Sequence, residues 1–581
     1  MKDYIKKYWF DYIFALVVTA VVAVLITIKF GYIYSTNDDV MLKNIISGNF
    51  TGTPESHVIN IMYISGLIGQ FLYNLFPQVS WYDLFMIGLH YLCWFLLVVR
   101  IGQQCKKKKT KTIVMLLFML LLVAVDLKYM VLHQYTILTM QLVSVSVFWI
   151  LTSRVCQGLE YWLERMVVLG TLICAMWLRK EAFLLALPIL GLAVLYEFWK
   201  NLESKEKYLK NIIIYISIFL GILLFTYSLE KFAYGENEWS AFQESHAARI
   251  QVYDYTGVPI RDNYSVEYDK LDIDALDWQV IHDYNCELAE NFDTEKMVGV
   301  SELSLRNFDE YIKTDGKINF LKKGFYTFCL LIFEKQIQPV GIIMLLAFLC
   351  VFILCYKEND KKACVVVVSS WLFYMAVYLV LIERGRYPER VMYGVYFMQM
   401  VCLFAFVSQY VESLFHKIKK DKFWICMMQI VCCLSIGLCF LYSWQKVEDE
   451  QNKILKNVAD WQYVNDYFAT NTENRYCIDT NSFVFSTEEL FTGKVESDNM
   501  IRLGGWILNS PLQEQRMHNQ GVDNLVQQLA EDDNYYIVQE EWKDTAWIDM
   551  VWQGKGYDVE AEVIDIIITP GGRIFEVVQI Q

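Results

Sequence analysis

The chain has 581 residues, 55% of them hydrophobic and only 20% charged, with mean hydropathy +0.28 and net charge −14. Several apolar runs are longer than the roughly 18 residues needed to cross about 30 Å of hydrocarbon, which excludes a water-soluble globule and indicates a polytopic membrane protein. The acidity argues against a nucleic-acid partner, because phosphate-backbone binding needs basic patches.

The first apolar run, residues 11–33, lacks a small-residue cleavage site and reads as a retained anchor. It ends in YIYSTNDDVMLKNIISGNFTGTPESHVIN, which sets Asp38 and Asp39 side by side at the exit of the first span. Which side they occupy follows from Lys and Arg in short loops, which resist translocation. Six short segments carry that excess: Lys2/Lys6/Lys7, the KKKKTK run at 106–111, Arg154 and Arg165, Lys200 to Lys210, Lys357/Lys361/Lys362, and Lys417 to Lys422. If all six are cytoplasmic, the spans between them come in pairs. Residues 58–76, dotted with Asn60, Gln70 and Asn74, are then an amphipathic helix lying on the outer surface, and only 81–101 crosses. By the same logic 321–336 is interfacial, with Lys322, Lys323, Glu334 and Lys335 spread through it.

Eleven spans result: 11–33, 81–101, 112–126, 134–152, 166–179, 182–197, 211–229, 339–356, 364–383, 391–411 and 423–444. The two after Arg165 are short, as tilted or kinked spans are. This predicts a mainly α, polytopic membrane domain over 1–445, with external loops at 34–80 and 230–338. An extracytoplasmic α/β domain follows over 446–581. The amino terminus is expected to be cytoplasmic and the carboxyl terminus outside. The tail holds 25 acids and 10 bases, a balance close to the whole chain's −14. Of the 15 cysteines only Cys286 and Cys477 fall in the large polar segments, which is no disulfide framework.

Inside the polar loop, 272–292 and 301–313 read as helices, since so long a connection needs structure of its own. The tail opens with the helical NKILKNVADWQYVNDYF. Strand-like runs follow at RYCIDT, YYIVQE, VEAEVIDIIIT and RIFEVVQI, with the helical TAWIDMVWQG between two of them and a Pro570-Gly571-Gly572 turn joining the last pair. The RLGGWILNSPL segment reads first as a turn packed on the core and second as a sugar-binding loop carrying Trp506, Asn509 and Ser510.

Asp38 and Asp39 have a plain structural reading as acids at the start of a helix beginning at Asn37 or Asp38. Adjacent residues do not share a helix face, so at most one of them points into a cavity. Other polar groups gather at the same expected surface. Asp126 ends the third span, with Lys128, His133, Gln134 and Tyr135 beyond it; Arg179, Lys180 and Glu181 end the fifth; ERGRYPER ends the ninth with Arg384, Arg386 and Arg390. Ionisable groups near membrane depth are costly and are functional candidates. A snorkelling or ion-paired arginine explains any one of the three. Three within seven residues, against the positive-inside trend, point to phosphate, which a guanidinium grips in bidentate fashion.

Taken together, the acids after the first span, the amphipathic 58–76 segment, Asp126 and His133 after the third span, and the late outer arginines resemble the GT-C superfamily of membrane glycosyltransferases, which use polyprenyl-phosphate-linked sugars. The resemblance covers the layout of residues 8–445 and departs in detail: the acidic pair is often Asp-Glu in that family, and Pro-Pro commonly opens the external helix where this chain has Pro54-Glu55-Ser56-His57. The NDDVMLKNIISGNFTGTPESH string looks more like uncharacterised membrane proteins of Gram-positive bacteria. What the resemblance implies is transfer of a sugar, with inversion, from a polyprenyl-phosphate donor to a cell-surface glycan or lipid acceptor. Asp38 or Asp39 would be the general base, and Arg386 or Arg390, with Arg384 beside them, would face the lipid phosphate. Asp126, His133, Arg179, Lys180 and Glu181 would be supporting polar groups. A divalent cation is left open, with Asp38 and Asp126 as its oxygen ligands. The rival readings are a flippase of lipid-linked glycans, which needs polar groups deep inside broken helices, and a non-catalytic envelope sensor, in which Asp38 and Asp39 would be replaceable.

Overall fold

The computed structural model describes residues 2–154, 157–202, 205–333, 340–383, 386–418 and 422–581. Among the described residues, eight helices are long and apolar enough to cross a membrane, and Tyr135–Leu151 and Met344–Lys357 are shorter apolar helices. The protein is a multi-pass membrane protein of mainly α fold with a small α/β unit toward its carboxyl end. Each of the eleven expected spans overlaps a helix, although residue 339 lies outside the described residues.

Helix Tyr135–Leu151 is the axis of the bundle. All of its residues are buried, packed among helices Trp81–Gln104, Gly158–Leu178, Lys180–Lys200 and Glu389–Ile418. Because protein surrounds it, it tolerates Gln141, Ser144 and Ser146 in mid-span, each bonded to a neighbour. The two spans expected to be short are 21-residue helices, Gly158–Leu178 and Lys180–Lys200. Arg165, expected in a loop, therefore lies inside a helix. It is buried against Glu197, and Glu164 beside it takes Arg100 at 2.6 Å. The apolar count starts late there because paired charges are tolerated at depth where single ones are not.

Helix Tyr63–Leu75 occupies most of the expected surface segment and leaves Leu67, Ile68, Phe71 and Leu75 exposed, the face such a helix sets against lipid. Helix Lys317–Phe333 likewise exposes Ile318, Leu321 and Phe325.

Basic residues of the described segments gather at one end, while Lys419 and Lys420 of the Lys417 to Lys422 segment lie outside the described residues. Lys7 pairs with Glu160, Arg154 donates to the Gln104 carbonyl, Lys200 to that of Ser153, and Lys362 to that of Trp199. Asp38 lies at the other end. From Tyr82, which touches Asp39, to Gln104, helix Trp81–Gln104 rises about 33 Å.

The last span opens a helix that runs unbroken from Lys422 to Thr470, so residues 445 and 446 fall within one continuous rod. Strands β1, Ile33–Tyr34, and β2, Leu132–His133, form a separate pair. Strands β3, Arg475–Ile478, β4, Met500–Arg502, β5, Tyr535–Glu540, β6, Ala561–Ile568, and β7, Ile574–Ile580, form a five-stranded sheet ordered β4-β3-β5-β7-β6, one face of which the far end of the rod covers. β3 pairs in parallel with β4 and β5; β7 runs antiparallel to β5 and β6. Side chains alternate between faces, as period 2 requires. Tyr476, Val538 and Phe575 meet Trp461, Val464 and Phe468 of the rod. Cys477, Ile537 and Val578 meet Tyr268, Val280, Leu288 and Met297.

The polar loop and the tail thus share a core. Within the loop, the expected helix at 272–292 is only Ala275–His282, followed by a single 3-10 turn at Cys286–Leu288. The second helix is longer than expected, Thr294–Asp315. Cys286 and Cys477 are both buried and free.

Candidate active site

Two short strands place the acids. β1, Ile33–Tyr34, leaves the first span and pairs in parallel with β2, Leu132–His133, which leaves the third. A strap from the tail locks β1 from its other side: Tyr34 N–H donates to the Glu488 carbonyl at 3.0 Å, Leu490 N–H to that of Tyr32 at 2.9 Å, and Phe491 N–H to the Asp83 carboxylate at 2.7 Å. Lys43, almost wholly buried, lies between Asp83 and Glu488. Burial pushes Glu488 up to about 7 even with that lysine beside it.

Helix Asn37–Ser47 starts directly after this clamp. Its N-cap is Thr36, extended and without a side-chain cap bond, and Asp38 and Asp39 fill the first turn, where the helix dipole favours negative charge. Gly48 ends it at φ 85°, with Pro54 N only 2.5 Å from where a Cβ would stand. The left-handed cap requires a glycine there.

The two acids diverge from this point. Asp39 turns inward and is fully buried. Its Oδ1 accepts from Tyr82 OH at 3.1 Å and from Tyr135 N–H at 3.2 Å, at the start of the axial helix. Burial, and after it the charge of Asp38, push Asp39 up to about 8 against those donors. The folded protein therefore binds this proton more tightly than the unfolded chain. The stabilisation is fully present below pH of about 4 and is lost as pH rises to about 8. Asp39→Asn keeps the acceptor oxygen and removes the ionisation. Thermal unfolding across pH should show the variant gaining on the parent as pH rises through that window. A constant difference would contradict the assignment.

Asp38 turns outward into a cavity of about 180 Å³. Tyr284, Trp461 and Trp506 supply its aromatic walls, and Gly504 and Gly505 bring backbone to its edge. Thr480 Oγ1 and Arg502 Nε, from two wall residues, are buried and have no hydrogen-bond partner. Arg390 Nη1 lies 3.3 Å from Asp38 Oδ2, and Arg179, which donates to Tyr135 OH at 2.5 Å, lies within electrostatic reach of Asp38. The membrane bundle, the polar loop and the tail all contribute to this one hollow.

Gly504 shows why RLGGW is built as it is. A Cβ there would lie 2.0 Å from the Tyr284 carbonyl oxygen and 2.8 Å from Thr480 Oγ1. Gly504→Ala should lower stability by about 1–3 kcal/mol, as overpacking does, whereas Gly493→Ala, with open space around it, should not. Equal melting of the two variants would refute that account. Asn509 bonds Ser245, and Ser510 caps helix Pro511–Asn519, so both have structural duties while Trp506 faces the cavity.

The other expected residues scatter. Arg386 pairs with Asp254 at 2.6 Å and covers the Tyr255 ring; Arg384 lies outside the described residues. Asp126 is buried within the bundle and accepts from Trp94 Nε1 at 2.7 Å, from Gln141 Nε2 at 2.8 and 2.9 Å, and from Tyr393 OH at 2.9 Å. With its oxygens so occupied it is a packing centre of the helices, and it does not join Asp38. Among the described residues no group of three or more His, Cys, Asp or Glu is placed to hold a metal ion. His133 meets His90, Nδ1 to Nδ1 at 3.2 Å, in a fully buried pair. Lys180 and Glu181 are exposed, and Glu181 pairs with Arg179. The expected supporting cluster is therefore four separate environments. Tyr284, Trp461 and Thr480 were not expected at the site and no local motif marks them, whereas Arg502 opens the RLGGWILNSPL segment and lines the cavity beside Trp506.

No family model and no curated protein matches the chain. Among solved structures it is similar to the crystal structure of ArnT from Cupriavidus metallidurans bound to undecaprenyl phosphate, with TM-score 0.39 and 10% identity over 97% of each chain. A likeness of that size carries no argument. The molecule's own geometry defines a multi-pass helical membrane protein with a cavity between its bundle and its α/β unit.

Proposed function

We propose that the protein is a membrane glycosyltransferase of GT-C type that moves a sugar from a polyprenyl-phosphate donor to a cell-envelope acceptor on the outer face of the membrane. The observation that carries this reading is the Asp38 carboxylate in an aromatic-walled cavity with Arg390 3.3 Å away. Aromatic faces suit the C–H faces of sugar rings, a carboxylate suits a hydroxyl that must lose its proton, and a guanidinium suits a departing phosphate.

In the reaction, Asp38 takes the acceptor hydroxyl proton as that oxygen bonds to the anomeric carbon. The bond from that carbon to the phosphate oxygen breaks, and its electron pair leaves with the lipid phosphate. Arg390 faces the charge that develops there. A single displacement inverts the anomeric centre. Asp39 holds the register of helix Asn37–Ser47 against Tyr82 and the Tyr135 amide, which fixes the direction of Asp38.

The test is release of free polyprenyl phosphate by the purified protein, given polyprenyl-phosphate sugars and envelope glycan together. Release that requires both substrates supports the reading. Translocation of the donor without cleavage would replace it with a flippase.

A further inference from the structure

Helix Asn37–Ser47 carries Asp38, and burial alone does not choose its rotation. Every residue from Asp39 to Ile46 is buried, so the helix is enclosed on all sides. Apolar burial is non-directional; it holds the helix in place without by itself fixing how far it is turned. Directional contacts do that. Three of the enclosed residues are polar: Asp39, Lys43 and Asn44. The Asn44 side chain makes no hydrogen bond among the described residues. Asp39 meets Tyr82 and the Tyr135 amide, which leaves Lys43.

Lys43 stands one turn after Asp39 on the same face, the i, i+4 relation, about 6 Å further along the axis. Its ammonium donates to the Thr492 carbonyl at 3.0 Å and to Glu488 Oε2 at 3.4 Å, and Asp83 Oδ2 lies 3.9 Å away. Thr492 and Glu488 belong to the tail strap. Asp83 follows Tyr82, the partner of Asp39, and accepts from Ser80 Oγ at 2.6 Å and from the Phe491 amide at 2.7 Å. The lysine and both acids are almost wholly buried, where removing one member of a charged group is costly. Two directional contacts one turn apart on one face fix rotation and tilt together. Asp39 alone would leave the helix able to swing about a single point.

We infer that Lys43 is a positioning residue of the site: docked on the tail strap, it fixes the rotation of helix Asn37–Ser47 and so the direction in which Asp38 enters the cavity. The inference rests on the glycosyl-transfer reading only for its effect on rate. There it makes the strap a working part of the site, since displacing a reacting group by about 1 Å costs about 10² in rate.

The test uses the full chain in neutral detergent, with Lys43→Met, with Lys43→Met combined with Glu488→Gln, and with Lys494→Gln as control, an exposed lysine just beyond the strap. The combined variant removes one buried charge of each sign, often a neutral change in protein interiors. It carries the test if melting curves show that Lys43→Met alone does not fold. First, each change is placed in an Asp38→Cys background. The rates at which an anionic and a cationic methanethiosulfonate modify position 38 are read by peptide mass. Arg390, 3.3 Å from Asp38, should give the anionic reagent an advantage of about fivefold, the effect of one charge at contact distance in water. The Lys43 variants should lose that advantage, and Lys494→Gln should keep it.

Second, in the transfer assay the Lys43 variants should lower kcat by about 10² with KM nearly unchanged. Added to Asp38→Asn they should cost nothing further, because Lys43 acts through Asp38. A lysine that only stabilised the fold would lower the residual rate as well. The inference is overturned by an advantage retained in a folded Lys43 variant, by no advantage in the Asp38→Cys parent, by losses that add to that of Asp38→Asn, or by failure of both Lys43 variants to fold. Loss of the advantage in a protein that shows no transfer keeps the inference and removes the transfer reading.

Discussion

Asp38→Asn is expected to lower sugar transfer by about 10²–10⁴, the usual worth of a positioned general base, with no loss of expression or thermal stability. The substitution leaves the shape of the cavity intact and keeps an oxygen for Arg390, so donor binding should survive while the rate collapses. The loss should therefore sit in kcat, with KM nearly unchanged. Asp39→Asn should behave differently, because Asp39 faces Tyr82 and the Tyr135 amide and has no path to the acceptor. Full activity in Asp38→Asn would remove the base assignment, and loss only in Asp39→Asn would move it one residue along the helix.

Arg390→Gln is expected to cost about 10²–10³ in rate, the range for removing one group that meets developing charge. Arg390→Lys should recover part of that, since the charge returns without the planar fork. Arg386→Gln is the internal control. Its partner is Asp254, both side chains are partly exposed, and such a pair is worth about 0–1 kcal/mol to the fold. Steady-state assays of the three variants separate them. A greater loss in Arg386→Gln than in Arg390→Gln would show that the phosphate binds nearer the polar loop than the Asp38 carboxylate implies.

The legible parts of this molecule are those with local causes. Spans follow from apolar runs, the clustering of basic segments from charge counts, and β3, β5, β6 and β7 from short strand-like runs, the last two joined by a Pro570-Gly571-Gly572 turn. The pair Asp38-Asp39 was visible as a pair. Which acid turns into the cavity was not, because that depends on helix register set by the β1–β2 clamp and by a strap about 450 residues downstream, as in the Thr487 bond to Tyr34. Arg390 was likewise one of three arginines until packing gave Arg386 to Asp254. Asp126 had the composition of a site residue, but three donors from other helices make it a buried anchor. The shared core of the polar loop and the tail has no local signature at all, since Tyr268 and Ile537 meet only after the chain has crossed the bundle several more times.

The central claim is that Asp38 opens to the outer surface while the lysine run at 106–111 faces the cytoplasm. Thr53, exposed in the segment that follows Asp38, and Lys107, exposed at the opposite end, report on the two sides. Intact cells carrying Thr53→Cys or Lys107→Cys are treated with a membrane-impermeant maleimide, and the labelled position is read by peptide mass. Modification at position 53 in intact cells, with position 107 reached only after permeabilisation, is the predicted result; the reverse pattern would put the carboxylate on the cytoplasmic side and contradict the proposed chemistry.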